Sequence, residues 1–168
     1  MGQVLEKFYA LNLGEMDCVV QESGMREQER EEFLEAFRME RENTLVGFCV
    51  MGGIFSEGID LKNEALIGAV IVGTGLPQIS NEREILKNYY DKRYGEGFDY
   101  AFRYPGMNKV LQSAGRVIRT VEDKGVIVLL DERFLQREYL GMFPREWADY
   151  EKVTVENVQE RVKKFWSN

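Results

Sequence analysis

Gln112, Arg116 and Arg119 stand four and three residues apart in the run Gln112-Ser113-Ala114-Gly115-Arg116-Val117-Ile118-Arg119. On a helix turning roughly 100° per residue these positions share one face, so two guanidinium forks and one carboxamide point the same way. Val110, Leu111, Ala114, Val117 and Ile118 fall on the opposite face, and a helix from Asn108 to Thr120 is predicted to bury them. Guanidinium groups aimed in one direction suit an oxygen-rich anion such as a phosphate. Gly115 beside them leaves room for a ligand to approach closely. Because R-x-x-R also occurs on ordinary solvent-facing helices, spacing alone leaves both readings open. A second candidate lies upstream in Gly52-Gly53-Ile54-Phe55-Ser56-Glu57-Gly58-Ile59-Asp60-Leu61, a glycine-punctuated stretch that follows an apolar run.

Two apolar runs bracket that stretch. Thr44 to Met51 and Leu66 to Gly73 lack the alternation of half-exposed strands and read as buried parallel strands. Ser56, Glu57, Gly58 and Asp60 then lie just past a strand's C-terminal end, where open α/β sheets present ligand sites. Upstream, Gly2 to Leu13 is predicted helical, Asp17 to Gln21 a short strand, and Met25 to Glu40 an amphipathic helix with Phe33, Leu34, Phe37 and Met39 on its apolar side. Residues from about 77 to 107 form an excursion, with a helix near Glu82 to Arg93 followed by the aromatic-rich segment Tyr94 to Tyr104. Its tyrosines, beside Lys92, Arg93 and Arg103, are suited to stacking bases while the cations hold phosphates. Alternatively, Tyr89, Tyr90, Phe98 and Phe102 simply pack the excursion onto the domain. Gly125 to Leu130 is a further buried strand, ending at Asp131, and helices are predicted over Leu135 to Phe143 and Val155 to Trp166, the last with Thr154 as its N-cap. Strands alternating with helices define an α/β protein, and 168 residues with 44% hydrophobic content fit a single domain, 1–168.

Composition narrows the function classes. A net charge of −7 argues against a free-standing basic nucleic-acid binder, although a local patch remains compatible with it. The two cysteines, Cys18 and Cys49, sit in apolar runs and read as buried reduced thiols, which points to a cytoplasmic protein. With no histidine, imidazole acid–base chemistry is excluded. No apolar run reaches the ~18 residues of a membrane helix, no signal peptide opens the chain, and no membrane partner is expected. Neither G-x-x-x-x-G-K-S/T nor a D-E-x-H box occurs, so the chain alone is not expected to bind or hydrolyse ATP. Gly73-Thr74-Gly75 is a possible phosphate loop of a small nucleotide-binding enzyme, but it lacks the G-x-G-x-x-G continuation and runs into Leu76-Pro77.

S-E-G-I-D after a strand, then Q-x-x-G-R-x-I-R, then D-E-R-F at Asp131 to Phe134, resembles motifs V and VI of superfamily 2 helicases, most closely the XPD/DinG branch. The resemblance runs from about Met1 to Trp147 and concerns the second of two RecA-like motor domains. It implies an α/β, three-layer αβα fold with a RecA-like parallel sheet flanked by helices. ATP and Mg would be held mainly by an N-terminal RecA-like domain, with Arg116 and Arg119 acting as arginine fingers and Gln112 as the group that orients water or senses the γ-phosphate. Gly58 and Asp60 would border the nucleotide, with Gly115 beside the arginines; Asp60 alone reads equally as a turn or helix cap. Gly52, Gly53, Ser56 and Arg103 would face single-stranded DNA. The branch implies an iron-sulfur cluster in the other domain, none in this chain, and 5′ to 3′ movement in DNA repair or replication.

Two departures from the family pattern stand out. Relatives have a strand and a motif IV before the first helix, whereas this chain begins at or inside that helix, which implies a sheet lacking a normally central first strand. At Gly52-Gly53 relatives often carry hydroxyl residues that contact a DNA phosphate, leaving only backbone amides for that task here. An alternative reading is a helicase-derived binding module without ATPase activity.

Overall fold

The computed structural model describes residues 2–11, 14, 16–55, 66–118 and 120–167. Four strands pair in parallel, two and two: β1 (Met16–Val20) with β2 (Thr44–Phe48), and β3 (Gly68–Val72) with β4 (Val126–Leu130). Among the described residues no ladder joins β2 to β3. Each pair has its own core. Helix α2 (Glu27–Arg38) lays Phe33 and Phe37 on the first pair, where Phe33 stacks on Phe55 at 4.2 Å between ring centroids. Gly47 in β2 makes this possible, since a Cβ there would lie 2.5 Å from the Phe37 ring. Helix α1 (Gly2–Ala10) buries no residue fully and meets the sheet through Phe8, edge-on to Phe48.

The second pair carries the larger core. Helix α4 (Tyr104–Ala114) buries Met107, Val110 and Ala114 against Ile71, Phe134 and Tyr139. The opposite face of β3 is open, with Val70 65% exposed, so the outer helical layer is thin here. Helix α3 (Asn81–Tyr94) begins where Ser80 Oγ accepts the Arg83 N–H and stops at Gly95, whose φ of 72° is the left-handed geometry glycine tolerates. A π-helical turn at Asp99–Arg103 runs straight into α4. Pro105 explains the break in α-helical pattern, since it has no N–H to offer the Ala101 carbonyl one turn back. Arg83 fills that gap, its Nη1 donating to Ala101 O at 3.1 Å and tying α3 to α4.

After β4, Asp131 accepts hydrogen bonds from the Arg133 backbone N–H at 2.9 Å, from its Nε at 2.8 Å and from its Nη2 at 2.6 Å, so D-E-R-F opens as a capped 3-10 turn (Glu132–Leu135). The Arg133 guanidinium holds the Asp131 carboxyl below the usual carboxylate range. A depressed folded value means that this stabilisation is present above about pH 4 and is lost as pH falls through the folded value. Asp131→Ala is therefore expected to cost about 1 kcal/mol at neutral pH, on the order of 2–4 °C in Tm, with the difference from the unmutated chain shrinking in acid. Thermal melts at pH 7 and pH 3 check both parts.

Three expectations need correction. The predicted helices at 135–143 and 155–166 are shorter: α5 is Arg137–Leu140, followed by a 3-10 turn at Arg145–Trp147, and α6 is Val158–Ser167. Thr154 is not the N-cap; it sits a turn earlier, donating its N–H to Asn157 Oδ1 at 2.7 Å, and helical structure starts only after that asparagine. The cysteines are free thiols but not buried: Cys18 is half-buried, with Sγ 3.0 Å from the Tyr9 hydroxyl, and Cys49 is exposed because β2 ends at Phe48. Protein packed around the Cys49 sulfur still pushes its thiol up to about 11, so it is a poor nucleophile.

Candidate nucleotide and nucleic-acid interface

The expected helix from Asn108 to Thr120 ends early, at Ala114. Glycine is a poor helix former, and at Gly115 the α pattern tightens: Gly115 N–H still reaches Leu111 O at 2.9 Å, but Arg116 and Val117 donate three residues back, to Ser113 O and Ala114 O. Gln112 is therefore exposed on the last helical turn, whereas Arg116 projects half-buried from the turn beyond it. The two do not share one continuous helix face. Arg119 lies outside the described residues, as do Ser56, Glu57, Gly58 and Asp60. Val110, Ala114 and Val117 are buried as expected, but Ile118 is 42% exposed, again because the helix has ended.

Residues 50–55 stitch the two strand pairs together. Val50 donates its N–H to Gln21 Oε1 at 2.9 Å, Met51 packs into the core beneath α4, and Phe55 returns to the core under α2. Between these anchors Gly52 takes φ +75°, a geometry that a side chain strains. Gly53 N–H turns back to Val50 O at 2.9 Å. This is the C-terminal end of β2, where a parallel sheet directs its loops toward ligands.

One residue that spacing did not single out stands here as well. The Lys109 stem, from α4, lies against Gly52: a Cβ at Gly52 would be 2.9 Å from Lys109 Cδ and 3.4 Å from its Nζ. Lys109 and Gln112 are one turn apart, so the lysine continues the polar edge of α4 toward the loop. No sequence signal marks this pairing, since 57 residues separate the two positions.

The remaining candidates are placed differently. Arg103 forms a salt bridge with Asp99, and its guanidinium lies 5.5 Å from the ring centroids of both Phe98 and Tyr139, inside the excursion. Phe102 is buried, but Tyr89, Tyr94, Tyr100 and Tyr104 keep over a third of their surface exposed, with Tyr90 stacked on Tyr100 at 4.1 Å. The excursion thus has a buried base and an aromatic outer surface. Gly73 and Gly75 both have positive φ, and the segment between them is pressed on α4, where a Cβ at Gly106 would fall 2.6 Å from Thr74 O. Helix packing accounts for Gly75 without a phosphate, since a Cβ there would stand 2.7 Å from Gly106 O, whereas Gly73 is set by its φ of 84° alone. Among the described residues no acidic or cysteine cluster could hold a metal ion, and no helix is long and apolar enough to cross a membrane.

Parallel strands with helices packed on them, and glycine loops at the strand ends, define a RecA-like α/β domain. A solved XPD helicase shares the fold over 83% of this chain, with a TM-score of 0.62 at 24% identity, this chain covering 25% of that one. The chain belongs to the helicase C-terminal domain family, whose model matches residues 1–150. A protein of Methanocaldococcus jannaschii described as a probable ATP-dependent helicase is 30% identical over 93% of this chain. The ATP-dependent DNA helicases DinG of Photobacterium profundum and XPD of Sulfolobus acidocaldarius are 36% and 37% identical over 52% and 49% of it. The chain spans 25%, 13% and 16% of the length of these three relatives. The family is therefore that of the XPD/DinG-type helicases.

Proposed function

We propose that this chain, 1–168, is the second motor domain of an ATP-dependent DNA helicase. It supplies motif V and the arginines of motif VI to ATP held on an N-terminal RecA-like domain of the same protein. The observation that carries this reading is the pairing of family membership over residues 1–150 with the Q-x-x-G-R-x-I-R motif at the end of α4. Arg116 and Arg119 neutralise charge on the γ-phosphoryl group as the bond to the leaving diphosphate breaks. Gln112, exposed on the last turn of α4, orients the attacking water or senses the γ-phosphate. Gly58 and Asp60 border the nucleotide, and Gly115 ends the helix so that Arg116 projects from a turn. Gly52, Gly53, Ser56 and Arg103 form the DNA side.

Closure of two domains over ATP and reopening after hydrolysis would move a single strand in steps, in the 5′ to 3′ direction and in repair or replication as the XPD/DinG resemblance suggests. Magnesium would be bound by the N-terminal domain. The test is single-strand-stimulated ATP hydrolysis by the full polypeptide, with and without Arg116→Ala. Stimulation that the substitution abolishes supports the motor. A protein that binds DNA but turns over no ATP with either sequence would instead be a docking module derived from a helicase.

A further inference from the structure

We propose that Lys109 and Gln21 form a phosphate seat over Gly52-Gly53, one that takes a backbone phosphodiester of the single strand. The proposal rests on the motor reading above and names a contact which that reading lacks. Glycines at 52 and 53 remove the side-chain donors that such a loop can offer, yet the loop is not short of donors. Lys109 brings a cation from α4, its stem laid along Gly52, and Gln21 brings a carboxamide from the end of β1. Gln21 is oriented, because its Oε1 accepts the Val50 N–H at 2.9 Å and its Nε2 faces Gly53, 3.0 Å from where a Cβ there would be. The two donors thus flank neighbouring loop residues, one from the end of β1 and one from α4.

Three features point to an anion. Lys109 is half-buried, and among the described residues its ammonium makes no ion pair. With its stem packed along Gly52, the lysine delivers its charge to the loop, where an oxyanion can take it. Gly52 is required by its φ of +75°, and the lysine stem lies along the side where a Cβ would be. Finally, a single lysine with a neutral amide matches the one charge of a phosphodiester better than the several charges of a nucleoside triphosphate.

The experiment uses the full polypeptide and a labelled oligothymidylate, without nucleotide, over roughly 50–200 mM salt. Lys109→Met keeps the stem against Gly52 and removes the charge, so equal melting temperatures confirm that packing is retained. It is expected to lower the slope of log affinity against log salt by about 0.7, the value for one phosphate contact on a single strand, with several-fold weaker binding at the low-salt end. Lys109→Arg is expected to restore the slope. A Met variant with the unmutated slope overturns the seat. The same unchanged slope with a raised KM for ATP overturns it in favour of a nucleotide contact. If the unmutated protein binds no single strand at all, the motor reading fails and takes the seat with it.

Discussion

Arg119→Lys in the full polypeptide is expected to lose most ATP turnover, falling about 10³- to 10⁵-fold, or roughly 4–7 kcal/mol of barrier. The substitution keeps the positive charge and nearly the reach. It removes the planar fork that donates two parallel hydrogen bonds to phosphoryl oxygens. The loss is expected in kcat, with little change in single-strand affinity measured without nucleotide, because the interaction forms only as charge redistributes in the transition state. A lysine variant that hydrolyses ATP at the unmutated rate would remove the arginine-finger role and favour the docking module. Arg116→Ala is expected to fall in the same range. Since Arg116 leaves from a turn and not from the helix, its aim depends on Gly115 and on the three-residue hydrogen bonds that follow it.

Elements whose signals are local were legible in the sequence, and contacts made across the fold were not. Helix α3 carries its own boundaries, a serine cap and a stopping glycine, and the expected span from Glu82 to Arg93 falls one residue inside it at each end. Three of the four strands show as continuous apolar runs and the first as a short strand, and their parallel pairing follows from the helices between them. Helix α4 ends before its apolar spacing does: the pattern continues through Val117 and Ile118, while the backbone obeys Gly115 and stops. The π-helical turn depends on one missing proline N–H and on an arginine twenty-two residues away, a combination that periodicity does not report. Motif residues could be named from their spacing, yet the lysine that lies on the motif loop could not. Its position follows from how α4 crosses the ends of β2 and β3, which is a property of packing.

That crossing is itself testable through Gly106→Ala. At Gly106 a Cβ would stand 2.6 Å from Thr74 O, 3.1 Å from Leu76 N and 3.2 Å from Gly75 C, while a Cβ at Gly75 would stand 2.7 Å from Gly106 O. All the close atoms at Gly106 are backbone, so no side chain can swing aside, and either α4 or the 73–76 segment must move. A contact this close to backbone belongs in the upper part of the about 1–3 kcal/mol that overpacking costs, so a net loss of roughly 1–2 kcal/mol remains after the roughly 1 kcal/mol that alanine gains over glycine in helix propensity. A drop in Tm on the order of 2–8 °C is expected. The displacement should also reach function: lifting the start of α4 off β3 shifts Lys109 from Gly52, one turn along, and Gln112, two turns along. Gly106→Ala is therefore expected to weaken single-strand binding and single-strand-stimulated ATP hydrolysis together at temperatures well below its melting point. By contrast, Gly141→Ala, where the nearest backbone atom would be 3.4 Å away and φ is helical, should leave stability and binding within error. A Gly106→Ala protein with unmutated Tm and unmutated binding would show that the helix is free to ride on the sheet, and the coupling of this glycine contact to the loop would be wrong.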